Sequence, residues 1–105
     1  MTPLAKKTYA LLKTVPRGRV TTYKALADAL GTKAYRAIGQ FMRTNPYAPR
    51  VPCHRVVASD GTIGGFMGKT GGKEIQKKIA LLTGEGINIE GRKVLEFERV
   101  FYRFG

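Results

Sequence analysis

Two short amphipathic runs joined through a glycine, a third further along, and β-patterned stretches of only a few residues predict the fold class. It is mainly α with a few short strands (α+β), arranged as a single winged helix-turn-helix-like domain. A chain of 105 residues fits one domain, and 43% hydrophobic residues suffice for one small core.

The elements follow in order. In "TPLAKKTYALLKTVP", Thr2 is an N-cap and Pro3 takes the first helical position, with Leu4, Leu11, Leu12 and Val15 near one stripe. Pro16 ends that helix and "PRGRV" reads as a turn. In "TTYKALADALG", Thr21 or Thr22 caps a helix carrying Ala25, Leu26, Ala29 and Leu30, and Gly31 suits a left-handed C′ position. "KAYRAIGQFMR" places Ala34, Ile38, Phe41 and Met42 at i, i+4, i+7 and i+8. Its outward side carries Tyr35, Arg36, Gln40 and Arg43, as a recognition helix would. Gly39 lies inside this helix at a cost of about 1 kcal/mol against alanine, which points to a close approach to its backbone. Pro46, Pro49 and Pro52 make the next stretch irregular or extended, "CHRVVAS" reads as a short strand, and "SDGTIGG" as a turn. "GFMGKTGG" lacks the ending and spacing of a phosphate loop. "KEIQKKIALLTGEG" is a further helix with Ile75, Ile79 and Leu82 on one face and Gly84 or Gly86 at its end. "INIEGRKVLEFERVFYRFG" reads as a hairpin or terminal strand followed by aromatic anchors.

The net charge is +12, and residues 1–55 hold eleven basic side chains against one acid, Asp28. Such a half suits a polyanion, nucleic acid foremost, because each phosphate contact releases counterions. No apolar run is long enough for a membrane span, and the N-terminus lacks the apolar block of a signal peptide, so a cytoplasmic protein is expected. One cysteine makes no internal disulfide, and one Cys beside one His falls short of a metal site. No cofactor is expected.

That cysteine, Cys53, stands directly beside the only histidine, His54, in "RVPCHRVV". Alone, Cys53 reads most simply as a small buried hydrophobe and His54 as a structural histidine. The segment nevertheless resembles the active-site motif of the O6-alkylguanine-DNA alkyltransferases, suicidal DNA-repair proteins. "PRGRVTTYKALA" (16–27) is similar to that family's entry into its helix-turn-helix, and "YRAIGQFMRTNP" (35–46) to its recognition helix and asparagine hinge. "GTIGGF" (61–66) and "KKIALLTGEG" (77–86) are similar to its binding-loop and late-helix segments. The five blocks keep the family's order and near-family spacing over roughly residues 3–90.

The resemblance implies roles. Cys53 is the alkyl acceptor, His54 acts through a water to make the thiolate, and Glu85 orients His54. Tyr23 assists nucleotide rotation and donates to the guanine ring. Asn45 is the hinge between recognition helix and active site. The backbone around Cys53 and Val56 accepts from the guanine amino group, the Met67 amide faces O6, Phe66 stacks on the base, and Lys78 lies near the site. Arg36 is the finger that replaces the extruded nucleotide, with Tyr35, Gln40, Arg43 and Thr22 completing the DNA face. The partner implied is double-stranded DNA containing O6-alkylguanine, bound by a monomer. Many relatives carry tyrosine at Phe66, which removes a hydroxyl but keeps a stacking ring. The resemblance gives the catalytic domain alone, without the N-terminal domain of larger members, and residues 91–105 match nothing in it.

The chemistry is coherent with these residues. Displacement at a saturated carbon needs a soft nucleophile, and a thiolate is the best side chain for it. An ordinary cysteine titrates near ~8.5, so a base must take its proton and a carboxylate must hold that base. In an extended segment, adjacent side chains point to opposite faces, so Cys53 and His54 need a bend at Pro52 or a bridging water. An acid at a helix C-terminus is unfavourable, which favours a specific role for Glu85. Two other readings share the fold: an alkyltransferase-like protein that flags damaged bases, in which another residue replaces the cysteine, and a winged-helix transcription regulator.

Overall fold

A computed structural model describes residues 1–104. Thr2 accepts the Ala5 amide at 3.2 Å and opens α1 (Pro3–Leu12). After a turn come β1 (Thr21–Thr22) and α2 (Tyr23–Ala29), then α3 (Tyr35–Arg43). A 3-10 turn at Cys53–Arg55 leads into β2 (Val56–Val57). The chain then runs through α4 (Lys73–Gly84), β3 (Ile89–Glu90), β4 (Lys93–Val94) and α5 (Phe97–Val100). This is a mostly helical, helix-turn-helix-type fold with a few short strands.

Parallel pairing of β1 with β2, Thr21 opposite Val56 and Thr22 opposite Val57, ties the start of α2 to the segment just after Cys53. Thr22 caps α2 by accepting the Ala25 amide at 3.0 Å. Gly31 has φ +65°, the left-handed value that lets the chain leave α2 and start α3 at Tyr35. The α2–α3 pair is held from inside by Leu26, Ile38 and Met42, which pack in one core with Leu12, Val56 and Leu82. Each such fully buried aliphatic side chain contributes about 1.5–3 kcal/mol. The antiparallel β3–β4 hairpin pairs Ile89 with Val94, and the end of α5 returns to Val20, whose amide donates to Val100 O at 2.9 Å. Among the described residues no helix is long and apolar enough to cross a membrane.

Three local expectations differ from the structure. On α1 the buried face is Ala5, Thr8, Tyr9 and Leu12, with Leu4 and Leu11 only half-buried. Tyr9 enters the core because its hydroxyl donates to Phe41 O at 2.8 Å. On α2, Ala27 rather than Ala29 is buried, since a helix of seven residues presents only Leu26 and Ala27 to the core. "CHRVVAS" is strand only at Val56–Val57. Its first three residues coil because the Arg55 amide closes on Pro52 O at 2.9 Å. Pro52 is thus the bend that an extended reading required.

Candidate active site

Cys53 opens the 3-10 turn, is 4% exposed, and lines a cavity of about 240 Å³. Tyr23 comes to that cavity from α2; Gly39, Met42 and Arg43 from α3; Gly65–Gly68 and Thr70 from the loop before α4. A Cβ added at Gly39 would meet nothing within 4 Å, so the chain's own packing does not require glycine there; the position borders open space beside the cysteine. Burial, foremost, holds the Tyr23 phenol above its ordinary value, so it remains a donor at neutral pH. A larger groove of about 620 Å³ lies between α2 and the C-terminal segment, but its lining holds neither a cysteine nor a histidine. The site is therefore assigned on chemistry, not on size.

His54 is buried, and its Nε2 lies 2.9 Å from Glu85 Oε2. A carboxylate only accepts, so Nε2 carries the hydrogen and Nδ1 is left as the basic nitrogen. Desolvation lowers the His54 pKa, and the opposing pull of Glu85 does not restore it. The imidazole is neutral at neutral pH and free to take a proton. His54 borders a second, smaller cavity of about 120 Å³ that shares the Phe66 and Met67 walls with the first.

Glu85 is the C-cap of α4. Burial alone would raise its pKa, but the Arg55 and His54 hydrogen bonds outweigh it and hold the carboxyl below the usual range. Arg55 donates Nε to Oε1 at 2.9 Å and Nη2 to Oε2 at 2.8 Å, while Nη1 reaches Val15 O at 2.8 Å. This two-pronged clamp answers the dipole objection to an acid at that helix end. Arg55 was missed as a site residue, although it completes the "PCHR" run; its partner lies 30 residues away in sequence.

Asn45 is buried and does not reach the cavity. Its Nδ2 donates to Val51 O at 2.8 Å, the carbonyl that also accepts the Cys53 amide at 2.8 Å, and its Oδ1 accepts from the Tyr47 amide. Lys78 is fully buried, with Nζ donating to Val56 O at 2.8 Å, to Ile63 O and to Gly65 O at 2.9 Å. All three ammonium hydrogens are used on carbonyls around the cavity, so Lys78 braces the wall rather than facing the opening. Burial pulls its pKa down to about 8. Val56 is fully buried, and its carbonyl is already engaged by Lys78. Phe66 is a buried wall, whereas Met67 is 41% exposed at φ +52° on the rim.

Tyr35, Arg36, Gln40 and Arg43 are all exposed on α3, the helix that also supplies one wall of the cavity. Thr22 is elsewhere: it is buried at the α2 cap and borders the larger groove. Among the described residues no three metal-ligating side chains cluster.

These features define a helix-turn-helix domain with a cysteine cavity set against its second helix. The chain belongs to the 6-O-methylguanine DNA methyltransferase family, whose DNA-binding-domain model matches residues 3–87. It is 49% identical over 88 residues to a methylated-DNA–protein-cysteine methyltransferase of Thermococcus kodakarensis, covering 83% of this chain and 47% of that protein. The rat protein of the same name is 46% identical over 80 residues, covering 75% of this chain and 36% of its own length. The chain thus spans less than half the length of these curated relatives. A crystal structure of Mycobacterium tuberculosis OGT in complex with DNA superposes with TM-score 0.73 at 36% identity, over 82% of this chain and 50% of that one. Schizosaccharomyces pombe Atl1, in complex with damaged DNA containing O6-carboxymethylguanine, superposes with TM-score 0.84 at 28% identity over 99% of this chain and 98% of that one.

Proposed function

We propose that this protein repairs DNA by transferring the alkyl group of O6-alkylguanine to Cys53, once per chain. The observation that carries the reading is a cysteine at a cavity, followed by a neutral histidine hydrogen-bonded to a clamped carboxylate, beside an exposed basic helix. The DNA complexes of its structural neighbours support the partner.

The target atom lies inside a duplex, so the nucleotide is rotated out into the cavity while Arg36 enters the stack. Tyr23 assists rotation and donates to the guanine ring. The thiol proton passes to His54 Nδ1, through a water, with Glu85 holding the opposite nitrogen. The Sγ–alkyl bond forms as the alkyl–O6 bond breaks; the electron pair returns to guanine, which takes up a proton. Phe66 stacks on the base, and the Met67 amide faces O6. No cofactor enters these steps, and no second cysteine is present to regenerate the first.

Mixing with an oligonucleotide containing O6-methylguanine should add one methyl group per chain, mapped by mass spectrometry to the Cys53 peptide. Cys53→Ala should retain DNA binding and form no adduct. Turnover beyond one equivalent, or no adduct on the unaltered protein, would sink the reading. The near full-length match to Atl1 supports a second reading, recognition of damaged guanine without transfer, and the no-adduct outcome with retained preference for alkylated DNA would select it.

A further inference from the structure

The loop that closes the Cys53 cavity, residues 64–72, has five glycines among its nine residues. Gly64, Met67, Gly68 and Gly72 sit at positive φ. Its internal backbone ties are the reciprocal Phe66–Lys69 bonds, at 2.8 and 2.9 Å. A segment so rich in glycine loses much entropy on ordering, and two bonds do not offset that loss. It must be held from outside.

Lys78 holds the start of the loop from within through Ile63 O and Gly65 O. The far part is held by Arg92, in the turn of the β3–β4 hairpin, whose Nη2 donates to Thr70 O at 2.7 Å. A Cβ on Gly71 would lie 3.8 Å from the same nitrogen. The backbone of Arg92 is itself anchored at the loop's entry, where its carbonyl accepts the Ile63 amide at 2.8 Å. The Val94 amide donates to Gly61 O at 2.9 Å, and Thr62 bridges to Lys93. One residue thus grips both flanks of the loop, its carbonyl on the incoming side and its guanidinium on the outgoing side. It lies beyond residue 87, where the family match ends.

We propose that Arg92 is a positioning residue for alkyl transfer, tying the two ends of the 64–72 loop together so that Phe66 and Met67 stay against the cavity that receives the base. The role rests on the transfer reading above. A charge-assisted bond to a carbonyl at a partly solvated site corresponds to an effect of roughly five- to tenfold on a rate that needs the loop in place.

The test uses the 105-residue chain with Arg92→Met, which keeps the stem and removes the donor, and Arg92→Lys, which keeps a donor. Amide hydrogen exchange over residues 67–72 should rise in Arg92→Met and not over α1. Transfer from free O6-benzylguanine and from alkylated duplex should slow together by roughly five- to tenfold. Alkylation of Cys53 by iodoacetamide should not slow, duplex affinity should stay within about twofold, and Arg92→Lys should fall between wild type and Arg92→Met. Unchanged loop exchange or unchanged transfer would overturn the assignment. So would parallel slowing of iodoacetamide, or a lysine variant no better than methionine. Wild-type protein that forms no adduct overturns the transfer reading instead, and the exchange comparison still decides whether Arg92 holds the loop.

Discussion

Behind Cys53, every polar side chain has a protein partner: His54 on Glu85, Glu85 on Arg55, Arg55 on Val15, Asn45 on Val51 and Lys78 on three carbonyls. Among the described residues no buried side-chain nitrogen or oxygen is left unpaired. The outward face of α3 is the opposite, with Tyr35, Arg36, Gln40 and Arg43 exposed and, among the described residues, none in an ion pair. Partnered groups inside have geometry and protonation set before any substrate arrives. Unpartnered cations outside keep their hydration and counterions until a polyanion displaces them.

The contrast is broken most severely from the inside. Glu85→Ala leaves the buried His54 and the half-buried Arg55 without their shared acceptor. It should cost about 3 kcal/mol of stability, measured by the denaturant midpoint. Alkyl transfer should fall on the order of a hundredfold, since the base loses its orienting group. A thiol that transfers unchanged in this variant would refute the His54–Glu85 assignment.

From the outside, Arg36→Ala should leave stability untouched. If Arg36 is the wedge, duplex repair should slow on the order of tenfold while transfer from free O6-benzylguanine holds, because only the duplex has a base to unstack. Equal losses on both substrates would remove Arg36 from that role. A smaller effect is expected of Arg43→Ala, which should make the slope of log affinity against log salt shallower by about one, equally on unrelated duplexes. A loss confined to one sequence would point to base reading and a regulator.

The smallest effect sharpens the inner half. The single histidine should titrate below the ordinary value near ~6.5 when followed by NMR. Glu85→Gln removes contributions that raise its pKa, so the midpoint should move further down. Because His54 is depressed in the folded state, its contribution to stability is full above about pH 6.5 and is lost as pH falls toward the folded midpoint. A midpoint that rises in Glu85→Gln would contradict the desolvated site.

Much of this was legible in the chain. Amphipathic spacing and Gly31 marked α2 and α3, because a 3.6-residue period and a left-handed cap are local properties. Cys53, His54 and the exposed α3 side chains were marked by motif and charge. Glu85, 31 positions from His54, was reached only through the family resemblance; Arg55 and Arg92, whose partners lie 30 and 22 positions away, were given no role by it, and no local pattern records such contacts.

By itself, therefore, the sequence determined the helices, the family and the run that sets Cys53 beside His54, all of them features written in short spacings. Only the tertiary structure decided that Pro52 coils the cysteine segment into a turn rather than leaving it extended. It alone turned Lys78 into a brace with three carbonyl acceptors, and brought the C-terminal hairpin against the glycine-rich loop that lines the Cys53 cavity. The physical reason is the same in each case. A buried donor or a glycine-rich loop must find its partners wherever the fold brings them, and partners far apart in sequence meet only once the core has closed.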